Sequence, residues 1–181
     1  MPAADAKAIA NEAGVPEYMA DLSVFQVLLR NPRVARPIND LLASMLWHGV
    51  LDPRLRELVI MRIGWTTGSD YEWTQHWRVA LSLGVSERDL LAVRSWRDDE
   101  ELGAVERAVL GATDDFVESG AMSDATWEAC TAALGDDPAV LVELTVAIST
   151  WRLIASILET LRVPLEPGVD SWPPDGVPPP R

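Results

Sequence analysis

The chain has 181 residues, of which 48% are hydrophobic, and it carries a formal net charge of −13. This length predicts one domain with tails, and the apolar content is enough for a sizeable core. A nucleic-acid-binding surface needs clustered lysine and arginine, whereas here 14 arginines and one lysine are mixed with 28 acidic residues. We therefore expect no nucleic-acid partner.

The N-terminal stretch is small and polar and has no basic start followed by an apolar run, so no signal peptide is predicted. No segment approaches the roughly 20 uninterrupted apolar residues that a membrane span needs. We therefore expect a cytoplasmic protein without a membrane partner. Cys130 is the only cysteine, which excludes a dithiol cycle within one chain, and we expect it to be a small buried core residue.

The apolar stretches repeat with helical rather than alternating spacing, which predicts an all-α fold. The expected division is a loose N-terminal arm over residues 1–20, a helical domain over 21–163 and a proline-rich tail over 164–181. The predicted helices cover residues 21–30, 33–47, 53–66, 69–83, 86–96, 101–119, 124–134 and 138–161. The tail holds seven prolines, which exclude helix and central strand. It should be extended on the surface, laid across a neighbouring subunit, or disordered.

The ends of the two central helices have clear signals. Asp52-Pro53 is typical of a helix N-cap followed by the first helical residue. Thr67-Gly68 predicts a tight turn into the next helix, which Gly84 ends as a left-handed cap. Because the connection is so short, the two helices must pack antiparallel.

Polar residues with catalytic potential lie on these two helices. Glu57 lies in a helix that is apolar on nearly all sides and is therefore predicted to be buried, so its carboxylate needs a partner. On the next helix Ser69, Glu72 and His76 follow at steps of three and four, which places them on one stripe. Antiparallel packing lets Glu57 face that stripe, and the group is a plausible proton-transfer cluster.

Structural alternatives remain open for each of these residues. Ser69 and Glu72 also fit a capping box, S-x-x-E, at a helix start. His76 could be a core histidine with satisfied hydrogen bonds, and Glu57 could be the ion-pair partner of an arginine. The candidate arginines are Arg54, Arg62 and Arg78.

The spacing Glu57-x11-Ser69-x2-Glu72-x3-His76 resembles the carboxymuconolactone decarboxylase and alkylhydroperoxidase D-like family. The pattern of that family is Glu-x11-Cys-x2-Cys-x3-His. The flanking text over residues 51–90 and the closing segment over residues 142–169 are also similar, and the resemblance extends over residues 22–170. It implies an alkylhydroperoxidase D-like helical bundle in which an antiparallel helix pair carries the site.

The chain departs from the peroxidase members at both cysteine positions, where Ser69 and Glu72 stand. Thiolate attack on a peroxide needs a low-pKa cysteine with a resolving partner, so a peroxidase is disfavoured. The decarboxylase branch lacks the dithiol and keeps acidic and histidine residues in this helix. The segment from Tyr71 to His76 resembles that branch.

The resemblance implies a cofactor-free lyase that carries out proton transfer or decarboxylation on a small cyclic carboxylic acid. His76 is the candidate proton donor or shuttle, Glu72 would orient it or take the proton itself, and Glu57 would complete the relay. The predicted substrate-binding residues are Ser69, Tyr71, His48 and Trp73.

Two other functions and one metal site remain as alternatives. The chain could be a non-catalytic helical binding or assembly protein that lost its redox site, and a peroxidase ranks third. A metal ion held by His48, His76, Glu57 and Glu72 lacks a close ligand motif, so we expect no metal and no organic cofactor. The resemblance also implies a homo-oligomer, as a dimer, trimer or hexamer.

Overall fold

The computed structural model describes residues 3–180, which contain helices and connecting segments and no strand. The α-helices are α1 Ala3–Ala13, α2 Ser23–Leu28, α3 Pro32–Leu46, α4 Pro53–Thr67, α5 Asp70–Ser82, α6 Glu87–Ala92, α7 Ala104–Ser119, α8 Asp124–Leu134 and α9 Pro138–Thr160. Short 3₁₀ helices cover Glu17–Asp21 and Trp96–Asp98. The all-α prediction is confirmed over this range.

Helices α4 and α5 form the predicted antiparallel pair. Asp52 caps α4 by accepting hydrogen bonds from the backbone N–H groups of Arg54 and Leu55. Gly68 ends α4 in the left-handed conformation, with φ of 74°. Near this turn Gly64 lies so close to α5 that a Cβ atom there would be 3.0 Å from the backbone nitrogen of Trp73. Glycine therefore permits the close approach of the two helices.

Helix α4 is the centre of the bundle and packs against α5, α7 and α9. Its side chains from Leu58 to Met61, and Ile63, have no exposed surface. Helix α9 is long and apolar enough to cross a membrane by length and composition alone, with a mean hydropathy of 1.6. Its residues Leu144, Ile148 and Trp151 are buried in the same core as α4, as in the core helix of a helical bundle.

The predicted loose arm is wrong for residues 3–20. Helix α1 and the 3₁₀ helix that follows it pack on α2 and α3. Ala6 and Ala10 have no exposed surface and share a second core with Phe25 and Leu29. Because alanine side chains are small, α1 can approach its neighbours closely. The prediction of a loose arm took the small residues as a sign of weak packing. Residues 1, 2 and 181 lie outside the described part of the chain.

The proline-rich tail lies on the surface of its own chain, one of the arrangements predicted for it. Trp172 is 8% exposed and packs against Trp65 and Trp73. The Pro173 carbonyl accepts a hydrogen bond of 2.7 Å from the indole N–H of Trp73. Asp175 accepts two hydrogen bonds, of 2.7 and 2.9 Å, from the guanidinium of Arg94.

Candidate active site

Glu57 lies at the centre of the candidate site and has no exposed surface. The Arg56 guanidinium donates two hydrogen bonds to Glu57 Oε1, at 3.2 and 3.1 Å. His76 Nδ1 is 2.7 Å from Glu57 Oε2. Arg56 is itself buried and also donates to the carbonyl of Met45. The buried carboxylate is therefore paired on both oxygens, as a charge in the core requires.

Glu57 is the ion-pair partner of an arginine, as one alternative predicted, but none of the three candidate arginines is that partner. Arg54 pairs with Asp89 and Glu106, and Arg62 pairs with Asp114, while Arg78 is exposed. The partner is the preceding residue, Arg56. Adjacent residues on a helix point in different directions, so helical spacing gave no reason to choose it.

His76, which belongs to α5, is hydrogen-bonded to residues of α4 and α9. Its Nε2 atom accepts a hydrogen bond of 3.2 Å from the indole N–H of Trp151 on α9. Because an indole nitrogen can only donate, Nε2 must carry a lone pair in this arrangement. The ring proton is then on Nδ1, from which it is donated to Glu57. The network thus assigns His76 a neutral tautomer with its basic nitrogen away from Glu57.

Glu72 differs from Glu57 in having no partner. Its side chain is 2% exposed, and neither carboxylate oxygen accepts a hydrogen bond. Burial raises the pKa of Glu72 well above its ordinary value, and the negative charge of Glu159 raises it further. A protonated carboxyl group is a hydrogen-bond donor. Glu72 therefore has the environment of a general acid.

Two expectations about Glu72 are corrected. The capping-box alternative is wrong, because Glu72 makes no bond to the backbone and Ser69 makes no side-chain cap bond. The prediction that Glu72 orients His76 is also wrong, because Glu57 holds that ring and Glu72 has no hydrogen bond to it. The acid and the imidazole are thus separate groups on one stripe of α5.

Glu72 and His76 line the same cavity, whose volume is about 440 Å³. Its wall is contributed by the first 3₁₀ helix, α2, α3, α5 and α9. The apolar side chains in it include Leu42, Leu46, Trp47, Val79, Ile154 and Leu158. A mostly apolar cavity with a few polar groups is typical of small-molecule sites.

One of the four predicted substrate-binding residues lines the cavity. Tyr71 lines the cavity, where its hydroxyl donates to Glu166 at 2.6 Å and accepts from the Val24 N–H at 3.3 Å. Burial, and then the bond to Glu166, raise the pKa of Tyr71.

The other three substrate-binding predictions fall outside the cavity wall. His48 is exposed beyond the end of α3, and Ser69 is buried at the start of α5. Trp73 is fully buried against Trp77 and the tail. Residues 72 and 73 are about 100° apart around a helix, so Trp73 points away from the side that carries Glu72.

Trp151 and Gln75 line the cavity without having been singled out from the sequence. Trp151 is 75 positions from the His76 ring that it contacts, so no local spacing could indicate the pair. Gln75 follows Glu72 by three residues, which is the one signal that could have included it in the stripe.

The cysteine lies outside this site. Cys130 is fully buried, as predicted, and burial raises the pKa of its thiol to about 11. A buried thiol of high pKa is a poor nucleophile. Between residues 3 and 180 no group of three histidine, cysteine, aspartate or glutamate side chains is placed to hold a metal ion.

Comparison with solved structures defines the class of fold. A protein of unknown function from Agrobacterium tumefaciens, with a suggested AhpD-type antioxidant role, has a TM-score of 0.70 at 22% identity over 77% of this chain and 94% of that one. An alkylhydroperoxidase AhpD core protein from Ralstonia eutropha JMP134 has a TM-score of 0.72 at 14% identity, over 94% and 86%. The fold is therefore the AhpD-like helical fold.

Part of the sequence matches a known family. Residues 32–115 match the model of the carboxymuconolactone decarboxylase family. No curated protein matches the chain. A cysteine-to-alanine variant of the debrominase Bmp8, in complex with 2,3,4-tribromopyrrole, has a TM-score of 0.68 at 13% identity, over 83% of this chain and 82% of that one.

Proposed function

We propose that the protein is a cofactor-free acid–base enzyme of the decarboxylase type that acts on a small cyclic carboxylic acid. The observation that carries the proposal is the pairing of two different groups in one apolar cavity. Glu72 is a buried acid without a partner, and His76 is a neutral imidazole held by Glu57. Acid–base catalysis uses groups whose environments set their protonation states apart.

The reaction needs one bond to break and one to form. The bond between the substrate carbon and its carboxylate breaks, CO₂ leaves, and the electron pair stays on a carbon conjugated to a carbonyl group. The proton of Glu72 moves to that carbon, so the negative charge passes from the substrate to Glu72. His76 Nε2 then shuttles a solvent proton back to Glu72, while Glu57 stabilises the imidazolium that forms transiently.

A second candidate is a small-molecule binding protein without turnover. The observation that favours it is the state of His76, whose two ring nitrogens are both engaged, one by Glu57 and the other by Trp151. A substrate must displace the Trp151 bond before Nε2 can act as a base. A peroxidase is disfavoured, because Cys130 is buried in the core and lies outside the cavity wall.

The test is an assay of a γ-carboxylactone with one carboxylate group and of related cyclic monocarboxylic acids in D₂O, in which CO₂ release and deuterium at the product carbon are both measured. We expect turnover by the wild type, with a loss of about 10²- to 10⁴-fold in Glu72→Gln and in His76→Ala. Cys130→Ala is the control and should keep full activity. Full activity in His76→Ala would contradict the proposed relay, and binding without CO₂ release would favour the second candidate.

A further inference from the structure

The shape and wall of the cavity limit what it can bind. Its volume of about 440 Å³ lies within the range of small-molecule sites. Leu42, Leu46, Ile154 and Leu158 make much of the wall apolar. The body of the ligand must therefore be small and largely apolar as well.

The hydrogen-bond donors in the wall are nearly all used within the protein. The donors with internal partners belong to Tyr71, Gln75, His76, Ser82 and Trp151. Tyr18 and Trp47 are further wall residues with a donor, but they lie at the rim and are 57% and 52% exposed. Inside the cavity the remaining polar side chain is Glu72, which has no partner and donates when protonated. The interior thus offers few donors to a ligand, namely the Glu72 carboxyl group and the second N–H of the Gln75 amide.

The charges near the cavity that could act on a ligand are negative. Among the described residues that line it, none is a lysine or arginine. Arg56 is the cation bound to Glu57, and its guanidinium is used by Glu57 and by the Met45 carbonyl. Glu159 adds negative charge near Glu72. A ligand with two carboxylates would therefore bring at least one charge into apolar surroundings without a cation, which is costly.

We infer that the cavity binds a small, mostly apolar molecule that presents one hydrogen-bond-accepting oxygen to Glu72 and carries at most one negative charge, so that dicarboxylates are excluded. This inference deepens the proposed function and rests on it for the role of Glu72 as a proton donor. A single carboxylate can form a charge-assisted hydrogen bond with a carboxylic acid. A monocarboxylate also keeps the charge of the site constant while the proton moves from Glu72 to carbon.

Calorimetric titration of the full chain near neutral pH tests the charge limit with three probes built on one ring. Benzamide is neutral, benzoate carries one negative charge, and phthalate carries two. We expect benzamide and benzoate to bind, and phthalate to bind at least about tenfold more weakly than benzoate because its second charge is unpaired. Phthalate binding as tight as benzoate binding would overturn the inference, as would the absence of binding by all three probes.

Two variants test the role of Glu72 as the donor. Glu72→Met removes the donor at similar volume and should weaken benzamide binding by about threefold to tenfold. Glu72→Gln keeps an N–H donor and should hold the affinity within about threefold. Unchanged benzamide affinity in Glu72→Met would contradict the inference. Because binding is measured without turnover, probe selectivity as expected beside a complete lack of decarboxylation would overturn the proposed function alone.

Discussion

Helix α5 carries paired polar groups on the side that faces the tip of the tail and one unpaired acid, Glu72, on the side that faces the cavity. On the side that faces the tail, Asp70 accepts hydrogen bonds from the Ser171 hydroxyl at 2.6 Å and from the Trp172 N–H at 3.1 Å. The indole N–H of Trp73 on that side is bonded to the tail carbonyl of Pro173. On the side that faces the cavity, both oxygens of Glu72 are buried without a partner.

The contrast separates a stabilising surface from a surface suited to chemistry. Buried polar groups are usually paired, because an unpaired one costs free energy of folding. Asp70 and the Trp73 indole follow this rule, while Glu72 breaks it inside a cavity large enough for a ligand. Buried groups with shifted pKa values are concentrated at functional sites. We therefore expect substitutions on the two sides to have opposite effects on stability and function.

The largest effect on stability should come from the tail side. Trp172→Ala removes a side chain that is 8% exposed and packed on Trp65 and Trp73. We expect the free energy of unfolding to fall by about 3 kcal/mol, as measured by urea denaturation. Trp127→Ala is the matched control, because Trp127 is 47% exposed and its loss should cost much less. Equal losses in the two variants would show that the tail does not stabilise α5.

On the cavity side the sign should reverse. Glu72→Met replaces two unpaired buried oxygens with an apolar group of similar volume. We expect the free energy of unfolding to rise by about 1–3 kcal/mol at neutral pH, together with loss of turnover. A destabilised Glu72→Met protein would mean that Glu72 has partners in solution and that the contrast between the two sides is false.

The pH dependence of stability should sharpen the same contrast. The folded-state pKa of Glu72 is raised by burial above its ordinary value of 4.5, so the folded protein holds this proton more tightly than the unfolded chain. Its contribution to stability is full below pH 4.5 and is lost as the pH rises through the folded-state pKa. The unfolding free energy of the wild type should therefore fall relative to that of Glu72→Gln as the pH rises. A difference that is constant with pH would contradict this.

The smallest effect should come from the tip of the tail. Hydrogen bonds from Arg94 lower the pKa of Asp175 to about 2. The stabilisation by this carboxylate is present above its ordinary pKa of 3.8 and is lost as the pH falls through about 2. Asp175→Asn should lower the melting temperature slightly at neutral pH and leave it unchanged in strong acid. A shift as large as that of Trp172→Ala would contradict the ranking.

Much of this arrangement follows from local sequence signals. Asp52-Pro53 and Gly68 fix the ends of α4, and the stripe from Ser69 to His76 brings His76 to Glu57 once the helices are antiparallel. These features depend on neighbours in sequence or on one short turn, which is why they could be predicted.

The remaining parts of the site depend on distant segments. The bond between Trp151 and His76 joins α9 to α5, and Glu166 in the tail bonds to both Tyr71 and the Ser23 backbone. That Glu72 has no partner depends on which side chains all the surrounding helices bring near it. Spacing along the chain contains none of this information.

The most direct measurement of the central claim is the protonation of Glu72 itself. In protein labelled with ¹³C at the glutamate side-chain carboxyl carbons, the Glu72 signal is assigned by its absence from Glu72→Gln and followed through a pH titration. We expect its midpoint to lie well above the ordinary glutamate value of 4.5, because the carboxyl group is buried without a partner. A midpoint at or below 4.5 would show an ionised Glu72 and contradict its assignment as the proton donor.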